Sequence, residues 1–502
     1  MRILILVACF WGNFMISSFA QVHFLKEDFS NQKVIGDGQL LHPTSIRFDD
    51  NGTGYLTLKR GIVMVLDTLG KLQATPLLDI SEEVVGDADH GLVSIALDPN
   101  FLNNGYFYLF YAVDRHYLMT YGTPAYDPSF TIEKQATIGR IARFQADASK
   151  GFKELVADSK MILVGKDAHD LSFPILMSSH GMGSLVFAED GTLLASGGDA
   201  GSFQAADFGS SEHTYFEQAL QDGIIREKDN IGAFRSQLID NLAGKIIRID
   251  PETGEGIPSN PFYDAANPAS PKSKVWSLGF RNPFRFIIEP GSGSHNPLVG
   301  EPGNLYVGDV GSGWWEELNV VQEGGQNFGW PLYEGYWWGW DFWPTLVTNY
   351  DAPNEVAATA NCPNAFYHFQ DLFQEENQQG NYFFSNPCVA DKSLAIDSSI
   401  PVFTHTRPVI TWSNHLWNKP ARALVPSFDS LGKALAVPLE ESTVNTERVD
   451  LTGFSSMPAV YYKEGNFPEV YKEALFVADY SGWIKAFYLD EQKKLILSLI
   501  HI

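Results

Sequence analysis

Three strand-like runs follow one another early in the chain: Thr44-Ser45-Ile46-Arg47-Phe48, then Gly54-Tyr55-Leu56-Thr57-Leu58, then Ile62-Val63-Met64-Val65-Leu66-Asp67. The first two are joined through Asp50-Asn51-Gly52, a turn signal that lets extended segments reverse tightly. The pattern returns at 91–97 with 106–111, and at 184–188 with 192–196 and 245–250, the second set turning at Asp190-Gly191. It recurs at 284–288 with 304–308 and 318–321, at 409–412 with 434–438, and at 475–479 with 483–489. Helical periodicity is nearly absent between these segments. Six loose repeats of a three- or four-stranded meander predict an all-β, six-bladed β-propeller with almost no helix outside its long loops. Blades bury their faces against neighbours, so no repeat stands alone. A sandwich of two sheets is the alternative arrangement.

Composition agrees with a large globular chain. Its 502 residues are 44% hydrophobic and 19% charged, which excludes disorder. Sixty acids against 35 bases give a net charge of −25, a field that makes nucleic acid and anionic membranes poor partners. Gly 44 and Pro 27 are scattered, as many short turns require.

Residues 1–20 read as a signal peptide: Arg2 precedes apolar residues 3–10 and 11–16, and Ser18-Phe19-Ala20 supplies a cleavage site before Gln21. Residues 21–502 then form the mature domain. Leu6-Val7-Ala8-Cys9 has the form of a lipoprotein box, but its short apolar core argues against lipid anchoring at Cys9. No later stretch approaches the ~20 apolar residues of a membrane helix. The expectation is an exported protein, periplasmic or extracellular, without a membrane span. In that oxidising setting Cys362 and Cys388 are expected to form a disulfide, worth roughly 3 kcal/mol in the loop-entropy picture. They lie in the longest of three inter-blade loops, 201–239, 291–303 and 333–401. The last also holds Tyr336-Trp337-Trp338-Gly339-Trp340-Asp341-Phe342-Trp343, either a platform for sugar rings or a satellite core under the loop.

Four segments could carry chemistry. Ser179-His180-Gly181-Met182-Gly183 sets a histidine among small residues directly before a strand, where a ligand can approach a general base. Ser196-Gly197-Gly198-Asp199-Ala200-Gly201 brings a carboxylate to the end of the next strand, able to orient that base. Arg281-Asn282-Pro283 offers a fork donor and an amide, suited to an anionic group. Asp309-Val310-Gly311-Ser312-Gly313, followed by Glu316-Glu317, mixes carboxylates with a Gly-rich turn and offers hard oxygen ligands for Ca²⁺. Each is weak alone; spaced one per strand-turn, they are informative together.

The ordered set resembles the soluble glucose/sorbosone dehydrogenases over roughly residues 40–490. It includes these segments together with Asp89-His90-Gly91-Leu92-Val93-Ser94, Gly244-Lys245-Ile246-Ile247-Arg248-Ile249-Asp250 and Gly324-Gly325-Gln326-Asn327-Phe328-Gly329-Trp330-Pro331. The resemblance implies a six-bladed propeller that carries pyrroloquinoline quinone (PQQ) and Ca²⁺ and oxidises a sugar or alcohol, passing electrons to an acceptor. His180 would take the hydroxyl proton, Asp199 would support it, and Gln204 would sit at the pocket edge. Arg281 and Asn282 would hold the quinone's oxygens. The carbonyls of Gly311 and Ser312 would bind the active-site Ca²⁺, with Asp309 beside them, and Glu317 resembles a ligand of a structural Ca²⁺.

The chain also departs from that pattern. Asp89-His90 and Ser179 replace residue types common in the family, and Met182 intrudes after the histidine. The turn Ala478-Asp479-Tyr480-Ser481-Gly482-Trp483 has no base until Lys485, where glucose-specific members place Lys and Arg. That version resembles a subgroup of the family that also resembles hedgehog-interacting propellers, which bind a partner and catalyse nothing, and the ending at Leu497-Ser498-Leu499 predicts an incomplete last blade or a shortened chain. A non-catalytic propeller that binds carbohydrate or protein is therefore the second reading.

Overall fold

The computed structural model describes residues 33–499 apart from 37, 39, 359–361, 391, 415–421 and 447–450. The expected signal peptide, Cys9 and Gln21 lie outside the described residues. Five sheets of four or more strands carry a propeller-like, all-β fold among the described residues. The first is the opening meander, Pro43–Phe48, Gly54–Leu58 and Ile62–Leu66, closed by Leu78–Asp79. Leu92–Leu97, Tyr106–Ala112, Thr137–Gln145 and Met161–Val164 form the second, with Phe173–Ile175 beside Thr137–Gln145. The third runs Met182–Phe187, Leu193–Gly197, Lys245–Ile249, Val275–Leu278.

The leading strands of successive sheets pack on one another. Leu92–Leu97 lies against both Pro43–Phe48 and Met182–Phe187, and Arg285–Ile288 lies against Met182–Phe187 and Ser456–Tyr462. Sheets stacked in this way cover both faces of their strands. Lys245–Ile249 is accordingly buried at every position, and its apolar Ile246, Ile247 and Ile249 point into two different core clusters.

The repeat count differs from the expected six. Arg285–Ile288, Leu305–Asp309 and Trp315–Val321 continue directly into Ile410–Asn414, Ala423–Phe428 and Ala434–Pro438 as one seven-stranded sheet. The join is an antiparallel ladder in which Trp315 faces Ser413 and Leu318 faces Ile410. A strand edge pairs with whichever extended segment the chain delivers to it, and hydrophobic alternation does not encode that choice. The last sheet has five strands, Leu495–Leu499 among them, with Asn445–Thr446 at its edge, so the described residues do not leave it short. The described α-helices have six residues or fewer, and Phe101–Asn104, Arg115–Thr120 and Pro271–Lys274 lie outside the three long loops. No helix of the described residues is long and apolar enough to cross a membrane.

Loop 333–401 contains short paired segments, among them Tyr333–Glu334 with Trp337–Trp338. Its aromatic run divides between the two roles left open: Tyr336 and Phe342 are buried, whereas Trp337, Trp338 and Trp340 are exposed. Within the same loop Cys362 and Cys388 are disulfide-bonded across a sequence separation of 26. Replacing both by serine is expected to lower the unfolding free energy by about 3 kcal/mol, read from the urea midpoint; an unchanged midpoint would show that the bridge constrains nothing.

Candidate active site

The two strands Met182–Phe187 and Leu193–Gly197 are neighbours, so the residue preceding the first and the residues following the second meet at one end of the sheet. His180 and Asp199 occupy those places. The His180 Nδ1 lies 2.9 Å from Asp199 Oδ1, and both residues are buried, at 4% and 1% exposure. His180 holds a left-handed backbone conformation, φ 57°, fixed by its carbonyl accepting the Ala200 N–H at 3.2 Å. The glycines around it are required by space: a Cβ on Gly198 would stand 2.5 Å from the His180 carbonyl oxygen, and one on Gly183 only 2.4 Å from Ser196 Oγ.

The Asp199 carboxylate is held by two further donors. The Gly201 N–H donates to Oδ1 at 2.8 Å, and Trp330 Nε1 donates to Oδ2 at 2.7 Å. The Asp199 N–H donates to the Arg281 carbonyl at 2.8 Å. The buried Arg235 guanidinium donates to the backbone carbonyls of Asp199 and Ala200 at 3.1 and 2.8 Å. Burial alone would raise Asp199, but His180, Arg281 and the Gly201 N–H hold its carboxyl below the usual range. For His180 the dominant influence is desolvation, reinforced by the Arg281 charge; together they lower its pKa against the opposing pull of Asp199 and Asp89.

Arg281 and Asn282 lie just before Arg285–Ile288, the first strand of the neighbouring sheet. Their backbone N–H groups donate to the two oxygens of Asp309, at 2.9 and 2.7 Å. The Arg281 Nη1 donates to the carbonyls of Val310 and Gly311 at 3.0 and 2.8 Å, and its guanidinium lies 5.5 Å from the Trp330 ring. It is 6% exposed and pairs with no carboxylate among the described residues. Gln204 and Ser312 line a cavity of about 530 Å³, walled by Phe203 and Trp330. Of the bonded residues only Trp330 lines this cavity; His180, Asp199, Arg281 and Asn282 do not, although the Phe203 ring of its wall stands 6.2 Å from that of His180.

The expected carboxylate ligands are committed elsewhere. Asp309 fixes the Arg281–Asn282 turn, while the Glu317 oxygens accept the Gly335 N–H at 2.6 Å and Asn319 Nδ2 at 3.0 Å. The two face each other on adjacent strands, and burial pushes both pKa values up. Glu316 accepts from Asn414, Gly311 and Ser456. No group of three or more His, Cys, Asp or Glu among the described residues is arranged to hold a metal ion. The departures from the family pattern also resolve physically. Ser179 Oγ donates to Asp89 Oδ2, His90 Nε2 bonds the Met177 carbonyl at 2.7 Å, and Met182 packs into the core instead of facing the cavity.

Trp330 and Glu334 were not expected as site residues. Trp330 reaches Asp199 across a sequence separation of 131. Glu334 Oε1 gathers the N–H groups of Ser312, Gly313, Trp314 and Trp315 at 2.9 to 3.1 Å, setting the loop that carries Gly311 and Ser312.

Residues 40–345 match the family described as Glucose / Sorbosone dehydrogenase. The HIPL1 protein of Arabidopsis thaliana is 24% identical over 402 residues, covering 72% of this chain and 51% of that protein. Quinoprotein glucose dehydrogenase B of Acinetobacter calcoaceticus is 26% identical over 259 residues, covering 51% of this chain and 43% of that one. The chain thus spans about half the length of these curated relatives, or less. A crystal structure of glucose dehydrogenase superposes with a TM-score of 0.49 at 16% identity, over 92% of this chain and 87% of the other.

Proposed function

Because the chain belongs to the glucose/sorbosone dehydrogenase family, we propose that it is an exported quinoprotein oxidoreductase acting on a sugar or alcohol hydroxyl. The observation that carries this reading is the buried His180–Asp199–Trp330 chain of hydrogen bonds next to a cavity. Asp199 accepts a proton-bearing Nδ1, which fixes the His180 tautomer and leaves Nε2 as the free basic nitrogen. Nε2 takes the proton of the reacting hydroxyl, and Asp199 stabilises the imidazolium that results.

Pyrroloquinoline quinone fits at Arg281, a buried cation without a carboxylate partner among the described residues, which suits the anionic oxygens of such a group. Asn282, Gln204 and Ser312 would complete its hold, and when bound the quinone supplies the acceptor for the hydride. Calcium fits less well: Asp309 and Glu317 use their oxygens on N–H groups, and the Gly311 carbonyl already accepts Arg281 Nη1 at 2.8 Å. The six-bladed count belongs to the same reading; it takes the seven-stranded sheet as two blades joined at the Trp315–Ser413 ladder. The single domain over 21–502, with 333–401 as an insertion in it, is proposed likewise.

The pH profile tests the base. With the His180 pKa lowered from 6.5 by burial and Arg281, its neutral form persists below pH 6.5. Activity should therefore fall only as pH drops through a value under 6.5, and the acid limb of kcat/KM reports that pKa in the free enzyme. Folding stability moves the same way: the unfolded chain binds the proton first, so this contribution is lost as pH falls below the unfolded value. An acid limb well above pH 6.5 would assign the base to another group. The broader test is reconstitution with PQQ and Ca²⁺, followed by dye reduction across aldoses and alcohols. Binding of sugars without any dye reduction would favour the non-catalytic propeller.

A further inference from the structure

Five indoles enclose a second, smaller cavity. Trp314, Trp315, Trp337, Trp338 and Trp340, with the carboxylate of Glu334, line a space of about 190 Å³. Tryptophan is highly buried on average, yet Trp338 and Trp340 are 58% and 76% exposed. The rings are held in place. Trp337 stacks on Trp315 with centroids 5.0 Å apart, Trp338 stacks on Trp343 at 5.2 Å, and Trp338 Nε1 donates to the Tyr333 hydroxyl at 3.0 Å. Glu334 is 8% exposed and pinned by the four N–H groups of the 312–315 loop. The adjoining 530 Å³ cavity shares Trp314, Glu334 and Trp340 and adds Asp341. Neither space is lined by lysine or arginine among the described residues.

The chemistry of this lining selects its ligand. A sugar ring needs a polar partner for each hydroxyl, or it binds at the cost of unpaired groups. Here Glu334 Oε1 is already shared by four donors, and Trp338 Nε1 is engaged with Tyr333. A quaternary ammonium has no N–H or O–H to satisfy, a methyl surface to bury, and a positive charge attracted by indole faces and by a nearby carboxylate. We propose that the tryptophan cage around Glu334 is a binding site for a quaternary ammonium group. The proposal goes beyond sugar oxidation and does not depend on it.

The test titrates the full chain with choline chloride at constant ionic strength, following tryptophan fluorescence. The comparison ligand is 3,3-dimethylbutan-1-ol, which has the same shape without the charge. Choline should saturate, and the neutral alcohol should bind about tenfold more weakly or less. Trp340→Ala removes a mostly exposed ring and should weaken choline about tenfold with an unchanged melting curve. Trp338→Ala, read in the same way, guards against an effect peculiar to one position. His180→Ala should bind choline as the parent does, which separates this site from the proposed catalytic one. Equal binding of the two ligands would make the cage a plain apolar pocket and overturn the proposal. So would saturation by maltotriose in the absence of choline binding, which would make it a glycan platform.

Discussion

Replacing His180 by alanine is expected to lower turnover by about 10²–10⁴-fold, the range lost with a positioned general base, while the melting temperature stays within a few degrees. The geometry gives the reason. Nδ1 is committed to Asp199 at 2.9 Å, Asp199 is held on its other oxygen by Trp330, and only Nε2 remains for the substrate proton. The loss should therefore appear in kcat as well as in kcat/KM. Asp199→Asn provides the companion measurement: it can offer its own amide to Nδ1, reverse the tautomer and place the proton on Nε2, so activity falls although the histidine remains. Full activity in His180→Ala would remove the base assignment. Full activity in Asp199→Asn alone would remove only the orienting role.

The second large effect concerns stability. Arg248 and Asp190 form an ion pair at 2.6 Å with both side chains at 0% exposure. Arg248 also donates to Thr192, Ser259, Asn260 and the Pro297 carbonyl, and its guanidinium lies 5.2 Å from the Trp276 ring. Asp190→Ala leaves this cation buried without its counter-charge, a change that costs about 3–5 kcal/mol. The double variant Asp190→Ala with Arg248→Met removes both charges and should recover a large part of that loss. Chemical denaturation of the three proteins decides it. A loss under about 1 kcal/mol for Asp190→Ala would place the pair with exposed ones.

That pair also marks what sequence can convey. Asp190-Gly191 was legible as a turn, because the carboxylate that helps form it bonds two residues ahead, at the Thr192 N–H and hydroxyl. Its long-range partner Arg248 left no signal. Most of the strands read were legible to within a residue or two, as at Gly54–Leu58 and Ala434–Pro438, since alternation and turn residues are local; the one read as 318–321 begins at Trp315. Thr137–Gln145 and Ser456–Tyr462 were not read as strands. The joining of Trp315–Val321 to Ile410–Asn414 was not legible either, because edge pairing is decided by delivery of the chain in three dimensions. His180 and Asp199 could be brought together on paper because they flank adjacent strands of one hairpin. Trp330 could not, despite lying in a segment that marks the family. Asp309 was read as a metal ligand from its residue type; the structure uses it to fasten two backbone N–H groups, a role that residue type alone does not distinguish.

The ladder between Trp315–Val321 and Ile410–Asn414 has one more consequence. Everything from 322 to 409 leaves and returns at adjacent places in a single sheet, so the closure entropy of that span is already met by the pairing at its base. Each doubling of its length adds only about 0.6 kcal/mol. The span can therefore gain or lose residues across generations with little penalty to the sheets beneath it. Natural variation has room to remodel the excursion beyond Trp330, while Trp330 itself, bonded to Asp199, stays with the His180–Asp199 hairpin.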